Sequence, residues 1–442
     1  MSKSFKCVTI LLVLLLVGCN RPQEIPKDLP DDTAVATEDV KVETSVPVET
    51  EVSTTTEPAE SPTDTIPPEP VRPTVNMTQV LEGDVIPLLP AGTEITLLEI
   101  TMVNHQIGWG IGIVDSETQH IFHTSDGGLT WQDITPPQPK ITSDGEITNL
   151  EHGIWNKDTA WVAFGGTDYI WSTKNAGQTW EAAPVDYLTT YDGMFTVLDE
   201  DHAWFFQFLE GGMQKVFTAL NRTSNGGDSW ELLLEPHSDI TIQSFDKTGA
   251  EFINPNYGWL TRDYRGVDPK VRINLTQDGG FTWESVEIPP PPGLPDVFNK
   301  GVGALYDPDV ISAGEGSFRV FTRQFNNGDM IDQDFLYKTD NNGGSWDILE
   351  MPSGVLYYIT DQVYYSISRD IHRSNDGGVT WQLIRSVNWD GQFSFVDPDT
   401  AWVIASDLSD WENPEYALVK TSDGGNSFSE IKPVLITSSS IR

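Results

Sequence analysis

Seven Asp or Asn residues occupy equivalent positions in a short pattern that recurs along the chain. Each follows a Thr or Ser by two residues and precedes a Trp or Phe by five. Carboxylate and amide oxygens in such numbers suggest a metal site or the acid and base of a hydrolase. However, one residue in the same turn of every repeat cannot converge on a single centre. We therefore interpret these residues as structural: Asp126, Asn175, Asn225, Asp278, Asn341, Asp376 and Asp423.

Each pattern, called a box below, spans eight residues, as in Thr124–Trp131 and Ser374–Trp381. Its Asp or Asn can accept hydrogen bonds from turn amides, and its Gly can take a positive φ. The closing aromatic residue can bury a large apolar surface under the turn. This chemistry predicts a hairpin turn between two β-strands.

The boxes recur at intervals of about 50 residues, close to the length of a four-stranded propeller blade. An Asn/Asp turn followed by a small residue and Trp precedes most boxes, as in Val103–Trp109 and Val396–Trp402. The fifth repeat keeps this turn as Tyr306–Asp309 without the Trp, and the sixth shortens it to Asp361 and Gln362. The pattern predicts an all-β fold, a single seven-bladed β-propeller of four-stranded antiparallel blades within residues 77–442.

The boxes resemble the Asp-box (BNR) repeat of sialidases, photosystem II stability and assembly factors, xyloglucan-cleaving glycoside hydrolases and sortilin-type receptors. The resemblance covers about residues 94–433, and the Gly/Ala-Trp strand beside each box is most similar to the assembly-factor propellers. It implies the propeller fold and a binding or assembly scaffold that helps a membrane protein complex to form or persist. Because the families that share the box have unrelated functions, a glycoside hydrolase or a carbohydrate-binding propeller is the alternative.

The first residues have the pattern of an export signal. Lys3 and Lys6 precede an apolar stretch, Val8–Val17, that is too short to span a bilayer. Leu16–Cys19 matches the bacterial lipoprotein cleavage motif. The pattern predicts a signal peptide over residues 1–18 and a lipid attached to Cys19 on the extracytoplasmic side of a bacterial membrane. An ordinary secretory signal with an accidental Cys is the alternative.

Residues 19–76 are rich in Pro, Thr, Glu and Val and predict a disordered, acidic tether. The whole chain carries a net charge of −40, which repels nucleic acid and anionic lipid headgroups. We therefore expect a monomer that meets the membrane only through its lipid anchor. Its partner is predicted to be a protein complex or a glycan, with no nucleic acid, metal or cofactor.

The unequal loops of the repeats are the predicted site. In an up-and-down blade the boxes and the Asn/Asp turns share one face, so the remaining loops emerge on the other. Three of these loops are long, Thr261–Arg272, Arg323–Asp334 and Asp407–Glu415, and Pro289–Lys300 forms a stiff connection. The candidate partner-binding or ligand-binding residues are Arg262, Asp263, Tyr264, Arg265, Asp268, Arg323 and Trp411. Solvated loops without a role are the alternative.

No spacing in the sequence identifies a set of catalytic residues. A protein without enzymatic activity is therefore the preferred prediction. A sialidase-like site would need three converging arginines, and the Phe/Tyr-Arg-Ile-Pro motif that carries the first is missing from the chain. The nearest strings place Arg272 and Arg319 in alternating runs typical of strands. Asp263, Asp268 and Asp332 could supply a carboxylate pair for glycoside hydrolysis. The seven His residues show no metal-ligand spacing.

Overall fold

The structure, a computed structural model, describes residues 87–114, 118–137, 150–165, 167–186, 193–212, 215–236, 247–264, 271–300, 302–312, 314–326, 329–407 and 415–436. This part of the chain is all-β apart from one short helix, α1 (Val297–Lys300). It contains no helix long and apolar enough to cross a membrane. The predicted signal peptide, the tether, Cys19, Arg265, Asp268 and Trp411 lie outside the described residues.

Strands β1 to β16 form antiparallel meanders of four consecutive strands. Meander 1 contains β1 (Thr96–Met102), β2 (Gly108–Ile113), β3 (Gln119–Thr124) and β4 (Thr130–Asp133). Meander 2 contains β5 (Leu150–Ile154), β6 (Ala160–Phe164), β7 (Tyr169–Thr173) and β8 (Glu181–Pro184). Meander 3 contains β9 (Gly193–Val197), β10 (Ala203–Gly212), β11 (Lys215–Thr223) and β12 (Glu231–Leu234). Meander 4 contains β13 (Lys247–Phe252), β14 (Gly258–Tyr264), β15 (Arg272–Thr276) and β16 (Glu284–Glu287).

The same arrangement continues to the last strand. Meander 5 contains β17 (Val302–Ser312), β18 (Glu315–Asn326), β19 (Asp329–Thr339) and β20 (Asp347–Met351). Meander 6 contains β21 (Val355–Tyr358), β22 (Tyr364–Ile367), β23 (Asp370–Ser374) and β24 (Gln382–Ser386). Meander 7 contains β25 (Asp390–Phe395), β26 (Ala401–Asp407), β27 (Glu415–Thr421) and β28 (Ser429–Ile431), and β29 (Val434–Ile436) follows. Meanders 4 and 5 join in one sheet because the end of β14 pairs with β17.

The apolar core lies between neighbouring meanders. The second strand of a meander is buried on both faces, as every residue of β6 shows. Its side chains therefore contact the meander before and the meander after: Trp109 packs with Val162, and Trp161 packs with Phe205. A further cluster joins Leu97 of meander 1 to Trp402 of meander 7. The succession of four-stranded sheets thus closes on itself, which is the arrangement of a β-propeller.

The last strand reinforces this closure. β29 pairs in parallel with β4, so the C-terminal end adds a fifth strand to meander 1. Between the two meanders, Gln392 accepts from the amide of Ile100 at 3.0 Å and donates to its carbonyl at 2.9 Å. The amide of Met102 donates to Ser394 Oγ at 2.7 Å. Each end of the described chain is therefore tied to the other by hydrogen bonds as well as by apolar contact.

Two details of the fifth repeat differ from the sequence prediction. Tyr306–Asp309 is not the turn between the first two strands, because these residues lie within β17 at a register shift. The turn comes after Ser312, where Gly314 accepts from the box amide of Asn342 at 2.8 Å. The segment Arg323–Asp334 is not an irregular loop either. It is a continuation of β18 and β19, which pair as far as Asn326 and Asp329.

Candidate functional site

The box carboxylates are fully engaged by their own turns. Asp126 Oδ1 accepts from the amide of Thr130 at 2.8 Å and from Thr124 Oγ1 at 3.0 Å. Its Oδ2 accepts from Thr130 Oγ1 at 2.6 Å. In the sixth repeat, hydrogen bonds from Thr380 and Ser374 lower the pKa of Asp376 to about 2. These carboxylates are ionised acceptors and lack the raised pKa of a general acid at neutral pH.

The same turn accepts Asn because the neighbouring hydroxyl can reverse its role. In the second repeat, Asn175 Oδ1 accepts from the amide of Thr179 at 2.9 Å. Asn175 Nδ2 then donates to Thr179 Oγ1 at 2.8 Å, whereas beside an Asp the equivalent hydroxyl donates. A hydroxyl both donates and accepts, so either residue satisfies the turn.

Each box is also tied to the turn between the first two strands of its meander. The fourth residue of the box donates its backbone amide to a carbonyl of that turn, as Gly127 does to Gln106 at 2.7 Å and Gly424 to Asp399 at 2.9 Å. The same bond occurs in all seven repeats at 2.7–3.0 Å. Boxes and turns therefore share one side of the sheets, called the box face below.

Aromatic donors on the second strand connect the box face from one meander to the next. Trp204 Nε1 donates to the carbonyl of Gly279 in the next box, at 2.8 Å. Trp402 Nε1 makes the equivalent bond to Gly127 at 2.8 Å, which links meander 7 to meander 1. In meander 6, Tyr365 occupies the position of this Trp, and its hydroxyl lies 3.3 Å from the carbonyl of Gly424.

Cations reinforce several of these joints. Lys420 Nζ lies 4.0 Å from the ring centroid of Trp402, and the Arg373 guanidinium lies 5.6 Å from that of Tyr365. Meander 5 has Ser317 at the Trp position, and there Lys338 Nζ donates to the carbonyl of Gly377 at 3.3 Å. The chemistry-bearing residues of the box face thus hold neighbouring sheets together.

The loop face is defined here as the opposite side, where the second strands end and the third strands begin. It holds Arg262 and Asp263, which are the last residues before Tyr264 in β14. Arg262 is buried and stands opposite the buried Lys247 of β13. The sequence predicts an exposed loop at Arg262. The strand instead continues through this position, so its substitution will also affect stability.

The protruding end of the β18–β19 hairpin is the most distinctive part of the loop face. β17 pairs with β18 only as far as Arg323, and β20 pairs with β19 only as far as Asp334, so no strand of the described residues pairs with either edge of the ribbon beyond. Arg323 forms a two-pronged bond to Asp332 at 2.7 and 2.8 Å. This bond lowers the pKa of Asp332. Met330 and Ile331 are exposed beyond it.

A second charged group on the loop face was not found from the sequence. Arg369, in the short turn between β22 and β23, donates to both oxygens of Asp390, at 3.2 and 2.9 Å. Asp407, at the end of β26, adds its negative charge to the surroundings of Arg369. Asp407 borders the segment that contains Trp411. The only sequence signal was a lone Ser-Arg-Asp turn, and the partners are distant in sequence.

The structure thus brings Arg262, Asp263 and Arg323 to one face, together with the backbone of Tyr264. No group of three or more His, Cys, Asp or Glu side chains within the described ranges could hold a metal ion. Arg319, which the sequence analysis assigned to a strand, lies in β18 with its Nη1 3.3 Å from buried Asp334 Oδ1. Its guanidinium also lies 4.5 Å from the ring centroid of Tyr306.

No protein-family model matches the chain, and no curated protein matches it. Among solved structures, YCF48 from Cyanidioschyzon merolae is similar at 15% identity and TM-score 0.47, over 77% of this chain and 99% of that one. A GH74 enzyme from Niastella koreensis is similar at 12% identity and TM-score 0.31, over 75% and 62%. The GH93 α-L-arabinofuranosidase of Fusarium graminearum is similar at 9% identity and TM-score 0.40, over 77% and 98%. Likenesses this low assign no function.

Proposed function

We propose that this chain is a lipid-anchored, extracytoplasmic scaffold: a seven-bladed Asp-box β-propeller whose loop face binds a protein complex. The seven meanders are the blades, residues 1–18 the signal peptide, Cys19 the lipid attachment site and residues 19–76 the tether. One observation supports placing the binding surface on the loop face. The box face uses its acids, amides and aromatic donors within the fold, whereas the loop face carries an open-edged hairpin with exposed apolar residues.

The hairpin has the properties of a protein contact. A two-stranded ribbon with open edges is marginally stable by itself, and its edges can pair with another chain. The Arg323–Asp332 bond braces the ribbon at its base, and Met330 and Ile331 offer apolar surface beyond it. Tyr264, Arg265, Asp268 and Trp411 are proposed as further contacts on the same face.

Glycan cleavage, the alternative suggested by the sequence, receives no support from the described carboxylates of the hairpin. A glycoside hydrolase needs one carboxyl with a raised pKa as its acid. Asp332 instead has a lowered pKa because Arg323 hydrogen-bonds to it. A panel of fluorogenic sialosides and glucans tests this point, and turnover that is lost in Asp263→Asn would favour the enzyme.

Crosslinking of the lipidated protein in its native membrane, followed by pull-down, tests the scaffold. We expect Met330→Asp/Ile331→Asp to lose the crosslinked partner. The control is Phe281→Asp/Val379→Asp, which places the same charges on exposed apolar residues of the box face. Retention of the partner by the hairpin variant, with loss in the control, would place the interface on the box face. Melting curves of both variants exclude unfolding as the cause.

A further inference from the structure

A group of buried polar residues lies at the edge of meander 1, where β3 begins and β4 ends. Asp133, the last residue of β4, accepts from the amide of Leu89 at 2.8 Å and from the amide and hydroxyl of Thr135 at 3.0 and 2.6 Å. His120 Nδ1 lies 2.9 Å from Asp133 Oδ2. The side chains of His120 and Asp133 are only 6% and 1% exposed. One carboxylate therefore organises three separate segments.

The two ends of the described chain are held to each other and to β4, the strand that ends at this carboxylate. The amide of Gly92 donates to the carbonyl of Leu435 in β29 at 2.8 Å, and the amide of Val434 donates to the carbonyl of Leu129 at 3.2 Å. Leu435 is buried in the cluster that contains Trp131 and Trp402. Residues 87–95, called the leading segment, thus contact the C-terminal strand directly, and both are fastened to β4.

We propose that the leading segment, β4 and β29 form a terminal clasp that closes the succession of sheets and opens as one unit in acid, before the remaining sheets unfold. Protonation of Asp133 would remove an ionised acceptor from Leu89, His120 and Thr135 at once. Charge-assisted hydrogen bonds are stronger than neutral ones, so their loss weakens the clasp more than a change in one ordinary bond. The leading segment and β29 are short, and they depend on this edge for their hydrogen bonds.

The direction of the pH effect follows from the surroundings of Asp133. Burial disfavours its ionised form, but the hydrogen bonds and charge of His120 and the bonds from Thr135 and Leu89 outweigh burial and lower its pKa. The clasp therefore has its full stability above pH 3.8, the ordinary pKa of an Asp side chain. It loses that stability as pH falls through the lower pKa that Asp133 has in the folded protein. His120 on β3 faces the carboxylate, and Glu94 of the leading segment is exposed. β29 carries no titratable side chain.

Hydrogen exchange of the full chain, read by mass spectrometry, tests the clasp. In Asp133→Asn at neutral pH, peptides covering residues 87–95 and 434–436 should exchange about tenfold faster than in wild type, because a charged acceptor is lost from a buried network. Peptides covering β6 and β14 should keep their wild-type rates. Asp376→Asn is the matched control, since it removes the same charge from a box that accepts Asn, and its clasp should exchange as in wild type.

The wild-type chain supplies a second measurement that needs no substitution. From pH 7 to pH 3, with rates corrected for intrinsic exchange, residues 87–95 and 434–436 should lose protection at a higher pH than β6 and β14. Simultaneous loss of protection in all of these segments would overturn the proposal. So would wild-type exchange of the clasp in a folded Asp133→Asn variant. If that variant does not fold, the acid series decides by itself.

Discussion

At the scale of single residues, the boxes show how one turn can use two different side chains. Asp126 accepts from the hydroxyl of Thr130, whereas Asn175 donates to the hydroxyl of Thr179. The backbone amide of the residue just before the closing aromatic residue is satisfied in both cases. The negative charge is therefore dispensable, but the oxygen acceptor is not.

We expect Asp126→Asn to leave stability within about 0.5 kcal/mol of wild type, because the hydroxyl can reverse its role. Asp126→Ala should lower the unfolding free energy by about 1–2 kcal/mol, because the amide of Thr130 loses its acceptor. Urea unfolding of the three proteins measures both differences. An equal loss in the two variants would show that the charge itself is required.

His123 provides a pH-dependent residue on the box face. Burial against Trp109, with ring centroids 5.0 Å apart, lowers its pKa from 6.5. The unfolded chain therefore binds the proton more readily, so stability is complete above about pH 6.5 and decreases as pH falls below it. His123→Phe keeps an aromatic ring and should make the melting temperature less dependent on pH between pH 7 and pH 5. A slope unchanged from wild type would contradict this prediction.

At the scale of elements, contacts between sheets depend on the second strand. Trp204 and Trp402 each donate to the carbonyl of the fourth residue in the next box. Tyr365 reaches the equivalent carbonyl and also donates to Pro398 at 2.9 Å. Burial raises the pKa of Tyr365 to about 12, so its hydroxyl stays protonated as a donor.

Tyr365→Phe tests this joint with little change in volume. The carbonyl of Pro398 loses its donor, so we expect the unfolding free energy to fall by about 1 kcal/mol. Tyr416→Phe is the control, since Tyr416 is partly exposed near the loop face, and it should stay within about 0.5 kcal/mol of wild type. Chemical unfolding at neutral pH measures both. If Tyr365→Phe is as stable as wild type, the hydroxyl does not contribute to this contact between sheets.

At the scale of the whole molecule, the net charge of −40 opposes compaction. Two of the described cations lie in joints between sheets, Lys420 beside Trp402 and Lys338 beside Tyr364. The excess acidic residues therefore repel one another across much of the exterior. This repulsion is screened by salt over about 10 Å at 0.1 M.

We accordingly expect the melting temperature to rise as NaCl increases from about 20 to 500 mM, because screening relieves the repulsion more than it weakens the exposed ion pairs. Differential scanning calorimetry measures the change. A protein that begins at residue 77, without the proposed lipid anchor, should also fail to bind anionic vesicles at low salt. A falling melting temperature would show that the ion pairs contribute more than the repulsion costs.

Much of the architecture was predictable because it repeats. The box chemistry predicted hairpin turns, and the alternation of Asn/Asp turns with Trp-led strands predicted four-stranded antiparallel sheets, which the structure contains. The prediction failed in the fifth repeat, where Asp307 and Pro308 have the composition of a turn but lie inside β17. Strand pairing on both sides of a segment can override local turn preference.

The sequence by itself determined the local structure, since the Asp or Asn side chain of each box finds its hydrogen-bond partners within the same eight residues. It also predicted which face would be occupied by repeated turns, because antiparallel strands alternate in direction. Only the tertiary structure decided that Arg262 is buried opposite Lys247, that Arg369 meets Asp390, and that Asp133 fastens Leu89 of the leading segment to β4. These contacts join residues on different strands. Their geometry depends on how whole sheets pack, and no short sequence pattern encodes that packing.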